Sequence, residues 1–272
     1  MILLAVLVWL GTAYAPVIGA AFHGHDLELL VRAGQWTATE GQFGPRAIGD
    51  FEPIEVLNVV GDDARGDVGS LLSGLWMVLS LRLWGAVDGR ALGLPSPFFY
   101  RLENLALLLI ASWGLWRFLN RLFRPWVGAV QAERAGFAAA SMFAVHPLCV
   151  PTVANLAGRS DLMSLAFATW AAAAFLAGRQ ERQYALLVVA GVLCFLAALS
   201  GQIALALPPA LALAEFLSSG RQRPLSKRAR TGINTLVVYS LCVQLNVLLV
   251  STTTGHGYYP EVSYSLAGLL EP

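Results

Sequence analysis

The chain has 272 residues, of which 57% are hydrophobic and only 13% charged, with a mean hydropathy of +0.62. Soluble domains carry charge on roughly a quarter of their residues, so this composition argues against a soluble class and for an integral membrane protein. The formal net charge of +1 argues against a strongly acidic or basic partner surface, nucleic acid included.

Met1–Phe22 is an uncharged apolar run. It lacks the basic start of a signal peptide and carries Pro16 directly after the cleavage-like Ala13-Tyr-Ala15, so it is expected to be an uncleaved first span. His23–Asp67 is the longest polar stretch, rich in Asp and Glu and punctuated by Gly and Pro. It predicts a large structured outer loop, residues 23–68, in which Asp26-Leu-Glu-Leu-Leu-Val-Arg32 begins a short helix. Gly69–Val87 is apolar but broken by Arg82, and is expected to form an interfacial or re-entrant segment.

Further spans are predicted over Phe98–Leu119, about Ala135–Asn155, Leu162–Ala177, Tyr184–Ser200, Ile203–Phe216 and Ile233–Val250. Pro208-Pro209 removes backbone donors and is expected to kink the short Ile203–Phe216 run. The whole is an all-α polytopic membrane bundle of about seven spans over residues 1–251, followed by an outer polar tail, 252–272. Arginine clusters set its orientation: Arg117, Arg121 and Arg124, then Arg179 and Arg182, then the group from Arg221 to Arg230 share one face if the spans alternate. That face is cytoplasmic by the positive-inside rule, as is the N-terminus. The three cysteines, Cys149, Cys194 and Cys242, all lie in apolar runs and are read as small hydrophobes rather than disulfides or metal ligands.

The functional candidates collect on the opposite face. Val145–Asp161 is a polar island between two apolar runs, and it places His146, Asn155, Arg159 and Asp161 at one end of a helical hairpin. Ionisable groups at a membrane edge either bind something or face water. Arg159 suits a phosphate, which a guanidinium grips bidentately, or else pairs with Asp161 across a tight turn in which Gly158 ends one helix and Ser160 caps the next. His146, before Pro147, is either a helix-packing hydrogen bonder or a site residue. Asp26 and Glu28 lie just beyond the first span, where a carboxylate serves as a general base, holds a cation, or caps a helix N-terminus.

The stretch His146-Pro-Leu-x-Val-x-x-Val153-Ala-x-Leu-x-Gly158-Arg159-Ser160-Asp161-Leu162 resembles a pattern in the TPR-containing protein O-mannosyltransferases and their bacterial relatives, polytopic glycosyltransferases of the C type (GT-C). Tyr100-Arg-Leu-Glu-Asn104-Leu-Ala-Leu-Leu-Leu is similar to that family's aromatic-x-Leu/Val-x-Asn-x-x-Leu span. Leu199-Ser200-Gly-Gln202-Ile-Ala-Leu-Ala-Leu-Pro208 sits where the family has Leu-Ser-Lys-Glu before a proline-bearing span, and Phe22-His-Gly-His25-Asp26 sits at its outer-loop acids. The resemblance implies a GT-C module in the bacterial plasma membrane. It also implies transfer of a sugar from a polyprenyl- or dolichyl-phosphate donor to a protein or glycan acceptor outside the cytoplasm. Asp26 is then the catalytic base or the acid that positions the acceptor, and Arg159 meets the lipid-linked phosphate. Glu28, Asn104, His146, Asp161 and Gln202 complete the substrate site, with no assigned metal ligand and metal dependence left open. The chain departs from the pattern at His25, Cys149, Pro151 and Gly201-Gln202. A second reading therefore stands beside the first: a non-catalytic relative that binds a polyprenyl lipid or scaffolds a membrane partner.

Overall fold

In a computed structural model, the structure describes residues 14–15, 72–73, 75–77, 79–80, 83, 97–156, 158–218 and 233–241. Asp26 and Glu28, the 23–68 loop, the Arg221–Arg230 cluster, the 252–272 tail and the side chain of Gln202 lie outside the described residues. Among the described residues the protein is all-helical, with no strands.

Helix α1, Pro97–Val127, runs for 31 residues. Pro97 opens it with a backbone angle already suited to the first helical position. Gly128 closes it at φ 83°, a left-handed conformation that glycine adopts without steric cost, and its amide reaches back to the Arg124 carbonyl at 3.2 Å. Helix α2, Ala129–Ala144, follows at once. It stops because Pro147 cannot continue it and disfavours helical geometry at His146. A turn closed by the Cys149 amide on the His146 carbonyl (2.9 Å) leads into the short α3, Cys149–Ala154. Pro151 lies in the first turn of α3, where no donor is missed. Helix α4, Gly158–Glu181, and α5, Tyr184–Ser200, form a hairpin through Arg182, which is left-handed at φ 57°. A 3₁₀ turn, Gln202–Ala206, leads into α6, Leu207–Ser218, and residues 233–241 are helical again.

Helices α1 and α4 lie parallel. Near their starts Asn104 meets Arg159; midway the indole of Trp170 donates to the Ile110 carbonyl at 3.1 Å; near their ends Arg121 meets Glu181 at 2.7 Å. Close approach of the two is set at Gly114, where a Cβ would lie 2.6 Å from Thr169 Oγ1. Small residues at such positions let helix backbones come together. Helix α2 runs back along α1, with Trp116 edge-on to Phe137. Helix α5 runs back along α4, where an alanine-rich core joins Ala168, Ala171, Phe175 and Leu176 to Ala190, Cys194 and Ala197. Helix α6 returns beside α4, and the Arg179 guanidinium donates to both oxygens of the buried Glu215 carboxylate at 3.1 and 2.7 Å.

This register gives the bundle two unlike ends. Arg117, Arg121, Arg124, Arg179 and Arg182 lie at one; Gly158–Asp161 and Gly201-Gln202 lie at the other, with Gly201 packed so closely on Ser160 that a Cβ would come within 3.0 Å of its carbonyl oxygen. That is the segregation expected from the arginine pattern, as far as the described residues reach.

Two helices, Phe98–Val127 and Gly158–Glu181, are long and apolar enough to cross a membrane. At 1.5 Å per residue they measure about 45 and 36 Å, against a hydrocarbon thickness of about 30 Å. The predicted Ala135–Asn155 span is instead divided into α2 and α3 by the Val145–Leu148 turn, because Pro147 ends a helix rather than bending it. The Ile203–Phe216 run changes at Leu207 from the 3₁₀ turn to α6, and Pro208 and Pro209 occupy the first turn of α6, where amides have no helical partner to lose. Accordingly Pro209→Ala changes stability by less than about 1 kcal/mol in thermal unfolding, against about 3 kcal/mol for a proline exchanged within a helix interior.

A buried arginine hub as candidate functional site

Arg159 is the second residue of α4 and is only 1% exposed. A guanidinium carries five N–H donors in a fixed fork, and here acceptors surround the fork. Nε donates to Asn104 Oδ1 at 3.1 Å. Nη1 donates to Ser80 Oγ at 3.2 Å and lies 3.9 Å from the Met77 sulfur. Nη2 lies 2.7 Å from Glu103 Oε2 and donates to the Tyr100 carbonyl at 3.3 Å. The guanidinium carbon sits 5.4 Å from the centre of the Tyr100 ring. Ser80 in turn donates to both Glu103 oxygens, at 3.2 and 2.9 Å.

The ion-pair partner suggested for Arg159 by its sequence neighbourhood is not the one it takes. The acid it pairs with is Glu103 on α1, not Asp161 two residues along its own helix, and its donors are directed inward to protein acceptors. Asp161 is exposed in the first turn of α4, where a carboxylate complements the helix dipole. Gly158 begins α4 instead of ending the helix before it, and a Cβ there would run into the Thr152 backbone.

Asn104 has a second task. Helix α3 has only six residues, and its last carbonyls lack partners within it. Asn104 Nδ2 donates to the carbonyls of Val153 (3.2 Å) and Asn155 (3.0 Å), and Arg101 Nε donates to that of Ala154 (3.2 Å). One turn of α1 thus satisfies the end of α3 and, through Asn104 Oδ1, also orients Arg159. On the far side, the buried Ser164 of α4 donates to the carbonyls of Ala197 (3.0 Å) and Gly201 (3.3 Å), joining the end of α5 to the same region. Tyr14, from the first apolar run, packs against Leu108, Val153 and Leu162, and its hydroxyl donates to the Ala144 carbonyl at 2.9 Å.

Of the site residues predicted from the sequence, Asn104 and Arg159 are therefore in contact and buried. His146 is exposed in the turn between α2 and α3, its Nδ1 accepting from the Leu148 amide at 3.2 Å, rather than packed between helices. Gln202 begins the 3₁₀ turn beside Gly201. Glu103, Ser80, Arg101 and Tyr100 were not singled out. A signal existed for Glu103, since an acid inside an apolar run needs a cation at the same depth. Among the described residues no three of His, Cys, Asp and Glu gather as a metal site would require. Comparison with protein-family models, with curated proteins and with solved structures found no match.

Proposed function

We propose that the chain is a multi-pass GT-C-like membrane glycosyltransferase that moves a sugar from a polyprenyl-phosphate donor to an acceptor on the non-cytoplasmic side. One observation carries this reading. The stretches around Asn104, Gly158–Asp161 and Gly201-Gln202, far apart in sequence and each resembling the same family, pack together at the end of the bundle away from the arginines.

In this scheme the acceptor nucleophile attacks the anomeric carbon of the donor and Asp26 takes its proton. The bond from that carbon to the phosphate oxygen breaks, and the electron pair leaves with the polyprenyl phosphate. Arg159 is a positioning residue here. It holds Glu103 and Asn104 in register, and it reaches the leaving phosphate only by exchanging the Glu103 carboxylate for it. Glu28, His146, Asp161 and Gln202 border the donor and acceptor.

The test is transfer of labelled sugar from polyprenyl-phosphate donors in proteoliposomes. Asp26→Asn lowers transfer by about 10²-fold or more while the protein stays inserted, and Arg159→Lys keeps part of it. The saturated state of Arg159 favours the second reading, a lipid-binding relative without chemistry. That reading stands if no donor supports transfer while a polyprenyl phosphate is still retained.

A further inference from the structure

The face of α1 bearing Leu102, Ile110 and Trp113 is apolar and exposed, Trp113 at 55%. At about 100° per residue, Arg124 and Arg117 fall within the arc that runs from Leu102 through Trp113 to Ile110, and Arg121 lies about 20° beyond Ile110. Arg117 and Arg124 are exposed and make no ion pair among the described residues, whereas Arg121 is half-buried against Glu181 at 2.7 Å. A surface that suits hydrocarbon thus changes to guanidinium within one helical turn. Arginines there keep their stems along apolar surface and carry their charge to the headgroup level.

We propose that this arginine stripe seats the headgroup phosphate of an anionic phospholipid, with the acyl chains lying along Trp113, Ile110 and Leu102. The inference rests on the chain being membrane-embedded, as in the function proposed above, but not on its catalysing transfer. Charge complementarity selects the occupant: Arg117 and Arg124 stand two turns apart on one stripe, and an anionic headgroup at that level balances their unpaired charge where a zwitterionic one does so only in part. The fixed fork suits phosphate oxygens better than a lysine would.

The full chain is reconstituted in vesicles of phosphatidylcholine alone and of an equal mixture of phosphatidylcholine and phosphatidylglycerol. Lipid retained through mild detergent extraction is then quantified. Phosphatidylglycerol is enriched over its share of the vesicle, and the double variant Arg117→Gln/Arg124→Gln lowers its affinity at least about tenfold. Arg121 is left in place so that its ion pair with Glu181 survives. Equal retention of both lipids by the wild type, or unchanged enrichment in the double variant, overturns the proposal. So does an equal effect of soluble glycerol phosphate, which assigns the stripe to free phosphate compounds. Alkaline extraction from the phosphatidylcholine vesicles separates the two failures: a chain that washes off is not membrane-embedded, whereas one that stays without selecting phosphatidylglycerol has lost only the lipid proposal.

Discussion

Replacing Arg159 with alanine lowers the stability of the bundle by about 3–5 kcal/mol, the cost of leaving one member of a buried ion pair behind. Glu103 is the member stranded, with its side chain only 15% exposed and Ser80 still donating to it. Asn104 Oδ1 loses its Arg159 donor at the same time, so the support of α3 weakens with it. Reversible unfolding in mixed detergent measures the loss. The double variant Arg159→Met/Glu103→Leu separates charge from packing, since exchanging both ions for apolar groups of similar volume is often close to neutral. It recovers most of the stability lost in Arg159→Ala. A loss below about 1 kcal/mol in the single variant would mean that water reaches the pair and the hub is not buried.

Gly158→Ala is the second large effect, for a steric reason. The added Cβ would lie 2.9 Å from the carbonyl carbon of Thr152 and closer still to its oxygen. Backbone atoms cannot rotate aside as a side chain does, so α3 must move off α4. The bonds from Asn104 and Arg101 to the Val153, Ala154 and Asn155 carbonyls stretch as it moves. Overpacking of this kind costs about 1–3 kcal/mol, and the lost hydrogen bonds put this case at the upper end. Gly191→Ala is the matched control: a Cβ there meets nothing within 4 Å, and alanine improves helix propensity by up to about 1 kcal/mol. Equal effects of the two substitutions would sink the steric account.

Local patterns in the sequence were legible where one segment determines its own structure. Tyr184–Ser200 is a helix over the predicted residues, and Leu162–Ala177 lies within the longer α4. An unbroken apolar run between polar turns needs no partner to be recognised. The division of arginines from the Gly158–Asp161 and Gly201-Gln202 turns was legible for the same reason, because alternating helices must sort their ends. The break at Val145–Leu148 was not, since Pro147 and Pro151 look alike in sequence yet one ends α2 and the other sits harmlessly in the first turn of α3. Pro208 and Pro209 pose the same ambiguity. The Arg159–Glu103 pair was illegible for another reason. It joins residues 56 apart in the chain (159 − 103) through the parallel register of α1 and α4, which hydropathy does not encode. Ser80, contributed from another segment, is further still from anything a motif could reveal.

In the membrane-embedded chain proposed above, the shortness of α2 has a consequence for the bilayer. At 16 residues it is about 24 Å long, roughly 6 Å less than the hydrocarbon thickness of a bilayer, while its neighbours α1 and α4 exceed that thickness. A membrane beside such a step draws inward to meet the shorter helix, at a cost of fractions of a kcal/mol per ångström. The thinned flank lies where Met142 and Leu148 are exposed at 71% and 76%, at the end of the bundle that holds the arginine hub. On the proposed embedding, headgroups on that side sit deeper than elsewhere around the protein. The phosphate of a lipid approaching there is brought down toward His146, without having to rise out of its leaflet.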